Sequence, residues 1–205
     1  MTLPSIRFNE FVDEWRVKSI LELSPRGFSN GVFNDPAKVG SGHPLINVKD
    51  MYSQGTIEVK TLTLVDIDDA EFKKNKVEFG DIFFTRSSLV KEGIAHSNVY
   101  LGDRNDVTYD GHLIMMRPDS NITDSFFLHQ NLKTVNSRRQ LVSRGKTSTM
   151  TTIGQNDIAD VNCWLPSLPE QKKIADFLGA VDAKIAGLQE REHHLSDYKK
   201  GVMQK

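Results

Sequence analysis

From Trp15 to about Leu165 the apolar residues come in short runs broken by Gly, Pro, Asn and Asp, the punctuation of strands and turns. These runs predict strands over residues 17–23, 45–48, 56–65, 81–85, 94–101, 112–117 and 158–165. One stretch departs from that rhythm: Phe127, Leu128, Leu132, Val135, Leu141 and Val142 recur at mixed three- and four-residue spacings. They predict one or two short helices within residues 125–142, with Asn121 and Thr123 as candidate caps. The charged span from Asp66 to Glu78 reads as a solvated loop.

The C-terminal segment departs more strongly. Ser167-Leu168-Pro169-Glu170 is an S-x-x-E capping box with proline in the first helical turn, where its missing N–H does no harm. Beyond it, Ile174, Leu178, Val181, Ile185, Leu188, Glu192, Leu195, Lys199 and Val202 fall at alternating steps of four and three, the period of a coiled-coil seam. A helix over residues 170–205 would be about 54 Å long, whereas a domain of about 165 residues has a radius of gyration near 15 Å. Such a helix projects and needs a partner; the plainer alternative is an amphipathic helix folded back on its own core. Glu192 and Lys199 would select orientation and partner, and Gly179, Gly187 and Gly201 fall off the seam. The predicted class is therefore α/β (α+β): a mixed, β-rich domain over residues 1–165, then a long coiled-coil helix over residues 166–205.

Composition narrows the picture. With 205 residues, 38% of them apolar, the chain can bury a real core, so neither disorder nor a disulfide-stapled scaffold is required. The single cysteine, Cys163, cannot form an internal disulfide, and it sits in an apolar context that suits packing better than reactivity. Residues 1–11 have no continuous apolar stretch, so neither a signal peptide nor a membrane anchor is expected there, and the predicted location is cytoplasmic. The net charge of −1 argues against a uniformly basic nucleic-acid glove, so a nucleic-acid role has to rest on a local patch.

Catalytic signatures are weak. Arg144-Gly145-Lys146-Thr147 resembles the end of a phosphate-binding loop, but its first glycine would fall on Gln140. Gly40-Ser41-Gly42 opens like a dinucleotide fingerprint, yet Leu45 stands where the third glycine belongs. His43, His96, His112, His129, His193 and His194 show no metal-ligand spacing, and no metal is expected. Glu71-Phe72-Lys73 with Asp66 or Asp68 could form half of a nuclease motif, although a charged loop is the simpler account. No Asn-Pro-Pro-Tyr or Asp-Pro-Pro-Tyr occurs, so the motif by which amino-methyltransferases hold a target base is missing.

Charge is unevenly spread. Between Ser125 and Asn156 there is no Asp or Glu, while Lys133, Arg138, Arg139, Arg144 and Lys146 supply five cations. A second candidate is the strand end Thr85-Arg86-Ser87-Ser88-Leu89-Val90-Lys91, since Arg can bind guanine O6 and N7 while Ser and Lys hold phosphates. Either these are solvated charges or they are an electrostatic footprint for DNA. On the second reading Arg86, Ser87, Lys91, Arg138, Arg139, Arg144, Lys146 and Thr147 are the candidate DNA contacts.

Several segments together resemble the DNA-specificity subunits of type I restriction-modification systems. Ile6-Arg7-Phe8 with Phe11 and Trp15, Gly80-Asp81-Ile82-Phe83-Phe84-Thr85-Arg86-Ser87, and Gly111-His112-Leu113-Ile114 before Arg117-Pro118 resemble the target-recognition domain. Leu165-Pro166-Ser167-Leu168-Pro169-Glu170-Gln171-Lys172-Lys173-Ile174-Ala175, with Leu178, Asp182 and Ile185, and the closing residues 199–205, are similar to the family's helix.

The resemblance implies a non-catalytic reader of double-stranded DNA that binds no cofactor itself. A methyltransferase subunit using S-adenosylmethionine and an ATP-driven restriction subunit would be its partners in DNA methylation and cleavage. Family members normally carry two reader-helix units in tandem, so this chain is expected to be a half-subunit or an N-terminal half. A homodimer through Ile174, Leu178, Val181, Ile185, Leu188, Leu195 and Val202 is expected, with Glu170, Gln171 and Lys172 as candidates for subunit docking. The contrasting readings are a coiled-coil protein adaptor and a small magnesium-dependent nuclease.

Overall fold

The computed structural model describes residues 6–33, 35–53, 55–60 and 62–203. In chain order it contains β1 (Arg16–Ser19), α1 (Ile20–Leu23), β2 (Phe28–Asn30), β3 (Val39–Ile46), β4 (Thr63–Val65), α2 (Asp69–Lys74), β5 (Ile82–Thr85) and β6 (Ser87–Ser88). Then follow β7 (Ser97–Val99), β8 (Thr108–Tyr109), β9 (Leu113–Met116), α3 (Ser125–Lys133), α4 (Val135–Arg144), β10 (Lys146–Thr147), β11 (Thr151–Thr152), α5 (Gln155–Ala159), β12 (Asn162–Leu165) and α6 (Leu168–Met203).

A four-stranded antiparallel sheet in the order β2-β9-β5-β7 forms the centre. Its inner strands, Ile82-Phe83-Phe84-Thr85 and Leu113-Ile114-Met115-Met116, are buried throughout, and alternation sends successive side chains to opposite faces. Ile82, Phe84, Ile114 and Met116 enter a core with Leu128, Leu132, Leu141, Ile158 and Cys163; Phe83, Leu113 and Met115 enter another with Ile46, Met51, Tyr100 and Tyr109. The sheet is thus covered on both sides, and its apolar runs are legible for that reason. The mixed sheet β4-β3-β8 lies beside the second core. The fold is α+β, as the pattern predicts.

Local capping explains where predicted strands stop short. In the 17–23 run, Ser19 N–H donates to Glu22 Oε2 at 2.8 Å and Glu22 N–H returns to Ser19 Oγ at 3.3 Å, and this box turns the chain from β1 into α1. The charged loop over residues 66–78 contains α2, started by Asp68, whose carboxylate accepts the Glu71 N–H at 2.8 Å. Run 94–101 yields only Ser97–Val99, because a turn at residues 91–93 and Ala95 at φ +50° precede it. Run 158–165 begins inside α5, so only Asn162–Leu165 is strand. Run 45–48 belongs to the longer β3, which ends at Ile46. Run 56–65 reduces to Thr63–Val65 among the described residues, with Thr61 outside them. Residues 125–142 do form two helices, but α3 is capped by Asp124, which accepts the Phe127 N–H at 2.8 Å, and not by Asn121 or Thr123.

Helix α6 is 36 residues long, starts at Leu168, and has a root unlike the predicted capping box. The Glu170 carboxylate, fully buried, takes two hydrogen bonds of 2.7 Å from Arg7 Nε and Nη2 and one of 3.4 Å from Trp15 Nε1. Gln171 Oε1 accepts from Thr123 Oγ1 at 2.9 Å and from the Asp124 N–H at 3.1 Å, while Gln171 Nε2 donates to Ile122 O and Pro166 O. Both side chains are committed within the chain, which removes Glu170 and Gln171 as docking residues; Lys172 remains exposed. Ile174 and Ala175 pack on the core and Phe177 meets the Phe8 ring edge-on at 6.0 Å. Ile174 is thus partly covered by the domain itself.

From Val181 onward every described residue of α6 is exposed, a stretch of about 35 Å carrying Val181, Ile185, Leu188, Leu195 and Val202. Gln204 and Lys205, where the predicted helix would end, lie outside the described residues, as do Met1–Ser5. Among the described residues no helix is long and apolar enough to cross a membrane. Cys163 is buried on β12, and burial pushes its thiol up to about 12.

One core residue is poorly matched to its site. Both ring nitrogens of His129, fully buried in α3, find no hydrogen-bond partner among the described residues. Burial, then the charges of Lys133 and His96, pull its pKa down to about 3. The unfolded chain takes up this proton near 6.5 and the folded chain only near about 3, so stability present above pH 6.5 is lost as pH falls through that window, by up to ~1.4 kcal/mol per pH unit. In urea unfolding, His129→Leu should shrink the difference in midpoint between pH 7.5 and pH 5; an unchanged difference would show that other groups set it.

Candidate nucleic-acid interface

The strand end and the acid-free stretch, far apart in sequence, meet in one small sheet of order β10-β11-β6. β6 pairs antiparallel with β11 through Thr151↔Ser88 and Thr152↔Ser87, and β11 pairs with β10 through Lys146↔Thr152 and Thr147↔Thr151. Opposed residues share a face, so Ser87, Thr152 and Lys146 form one row across the three strands and Ser88, Thr151 and Thr147 the other. The second row is knitted together by the Thr147 and Thr151 hydroxyls at 3.0 Å, and Thr151 is buried. The first row presents Thr152 and Lys146 to solvent, with Ser87 about 10 Å from Lys146 at the usual strand spacing.

Arg86 sits where the central sheet hands over to this one. Its N–H donates to His112 O at 3.4 Å, its carbonyl accepts the Ile153 N–H at 3.1 Å, and Nη1 donates to Gly111 O at 3.2 Å, and the residue stays exposed. His112 lies next to it, exposed, with Nδ1 2.7 Å from Asp110 Oδ1. Lys146 reaches Asp157 at 3.3 Å, but an exposed pair of this kind is worth ~0–1 kcal/mol and yields readily to a stronger anion.

The remaining candidates divide by what their side chains hold. Arg138 is half-buried on α4, and its guanidinium donates to Ala95 O at 2.6 Å, Ile94 O at 2.6 Å and Glu92 O at 2.9 Å. It secures the turn that carries Lys91. Arg144 donates to Gln140 O at 3.2 Å and Asp160 O at 3.1 Å, tying the end of α4 to the residue that follows α5. Arg139 and Lys91 are exposed. The structure thus gathers Arg86, Ser87, Lys146 and Thr147 on one sheet and gives Arg138 and Arg144 internal partners. Thr152 and His112 join the site unannounced by sequence, because only the β6–β11 pairing and the β5 exit bring them there.

No group of three or more His, Cys, Asp or Glu able to hold a metal occurs among the described residues, and Asp68 is occupied as the cap of α2.

Residues 12–195 match the type I restriction modification DNA specificity domain. The chain belongs to that family. A type I restriction enzyme MjaX specificity subunit of Methanocaldococcus jannaschii is 27% identical over 203 residues, covering 96% of this chain and 46% of that protein. Among solved structures, the S subunit of a type I restriction-modification system from M. genitalium matches with a TM-score of 0.62 at 16% identity, over 92% of this chain and 44% of that one. The HsdS subunit of Thermoanaerobacter tengcongensis matches with a TM-score of 0.55 at 16% identity, over 91% and 41%. At such identities the structures speak for the fold. This specificity domain spans less than half the length of these relatives.

In this specificity domain Arg138→Ala should cost about 1–3 kcal/mol of stability, since three turn carbonyls lose their donor, whereas Arg139→Ala on the exposed side of the same helix should change it by less than about 0.5 kcal/mol. Urea unfolding of the two variants checks this directly.

Proposed function

We propose that this chain is the sequence-reading part of a type I restriction-modification complex, bringing methyltransferase and restriction subunits to a split DNA site without catalysing either reaction. The observation that carries the reading is the β10-β11-β6 sheet, where Ser87, Thr152 and Lys146 lie in one row and Arg86, exposed, immediately precedes β6. A narrow β-ribbon fits the major groove of duplex DNA, where Arg can take guanine O6 and N7 and Lys and hydroxyls hold phosphates. S-adenosylmethionine and ATP belong, in this proposal, to the partner subunits, and the complex works in the cytoplasm.

The exposed apolar stripe of α6 suits pairing with a second copy of the chain. Val181, Ile185, Leu188, Leu195 and Val202 are each between 38% and 59% exposed along one seam of the helix, and large exposed apolar surfaces mark interaction sites. Isologous pairing relates two readers by a two-fold axis, so the DNA site would be an interrupted palindrome.

Two experiments test these readings. Duplex binding followed by fluorescence anisotropy should weaken steeply with salt; Lys146→Ala should make the log–log slope shallower by about 0.9, the value of one phosphate contact, whatever the DNA sequence. Salt-independent binding, or none, would favour a protein adaptor. Analytical ultracentrifugation should find a dimer at tens of micromolar that Ile185→Asp converts to monomer; a wild-type monomer at that concentration removes the pairing proposal.

A further inference from the structure

Beyond the polar row, the same sheet carries an apolar tip. Leu89 and Met150 are the next residues past the Ser88↔Thr151 pair, and they are 86% and 39% exposed; Val90, beside them, is 62% exposed. A single exposed leucine means little. Here three exposed apolar residues lie at one end of a small sheet, with exposed Arg86, Lys91, Lys146 and Thr152 in or next to its strands and one carboxylate, Glu92, on the adjoining turn.

The tip is also held firmly. Val90 N–H donates to Ser88 Oγ at 3.3 Å and Gly93 N–H to Val90 O at 3.1 Å. Gly93 packs so closely that a Cβ there would stand 2.6 Å from Ser88 Oγ and 3.3 Å from Val90 Cγ2. Arg138 binds three carbonyls of the turn, those of Glu92, Ile94 and Ala95, and Ala95 holds a positive φ of 50°. Leu89 is thus presented in advance of contact, with little ordering left for a ligand to impose.

Resting on the DNA-reading proposal above, we infer that Leu89 is a specificity-determining residue that packs on the C5-methyl group of a thymine in the major groove, with Met150 and Val90 closing its flanks. The methyl is the one apolar feature a base pair offers in that groove. The surrounding cations match the phosphates on either side, and an apolar patch of three side chains is too small for a stable protein interface. Glu92, the carboxylate on this turn, would be repelled by phosphate, which favours a base edge over the backbone as the tip's neighbour.

The test starts by selecting bound sequences from randomised duplexes with the full chain, then replacing each thymine of the selected site by uracil, which removes only the methyl. At one position uracil should weaken wild-type binding about fourfold, the equivalent of one buried methyl, and Leu89→Ala should bind the thymine and uracil duplexes alike. The salt slope and the thermal unfolding midpoint of Leu89→Ala should match wild type, as expected for so exposed a side chain. If no thymine responds, or if Leu89→Ala still discriminates, the inference fails while salt-dependent DNA binding keeps the wider reading intact. Loss of all duplex binding by the wild-type chain would instead remove that wider reading. A Leu89→Ala chain that reads DNA normally but no longer supports methylation with its partner subunit would assign the tip to protein and overturn the inference.

Discussion

The root of α6 is the constraint on which the rest depends. Glu170, without solvent exposure, would be a severe liability alone, and Arg7 meets it in bidentate fashion while Trp15 adds a further donor. Gln171 satisfies both its oxygen and its nitrogen on four neighbours drawn from two segments. Apolar residues could have filled this volume, and replacing buried ion pairs by well-packed apolar groups is often neutral or stabilising. What apolar packing lacks is direction. Hydrogen bonds with fixed geometry set the angle at which the helix leaves the domain, and over about 35 Å of projecting helix a small angular error becomes a large displacement.

Polar placement also separates two kinds of arginine. Arg138 and Arg144 lie in the acid-free stretch, yet their donors go to backbone carbonyls at turns and helix ends, where the chain has exposed acceptors to satisfy. Arg86 and Lys146 have weaker or more exposed partners and keep their charge at the surface. Absence of acid in a sequence window therefore marks a region of positive potential without saying which cations face outward.

The contrast between what the chain discloses and what it hides follows from locality. β5 and β9 were legible because burial on both faces leaves an uninterrupted apolar run, and α6 because its period persists for many turns and its start is marked by Pro169. The split of residues 125–142 was legible too, although the cap was not, since Asn121, Thr123 and Asp124 all suit that role and Gln171 claims the Thr123 hydroxyl. β6, β10 and β11 carry two residues each, too short for any periodicity, and the β6–β11 pairing joins positions about sixty residues apart. Glu170 fits a capping box as well as a buried anchor, and only Arg7, at the far end of the chain, decides between them. Arg138 and Arg139 are neighbours of equal charge; the turn of the helix places one against a loop and the other in water.

Cys163 gives this architecture an internal witness. It lies on β12, whose Lys18↔Cys163 pairing with β1 abuts the root of α6, and its thiol is both buried and held protonated at neutral pH. Thiolate chemistry is silent while the strands stay paired. With no second cysteine in the chain to react instead, alkylation kinetics become a clock for the opening of that seam, blind to movement of the outer helix and sensitive to any loosening of its foundation.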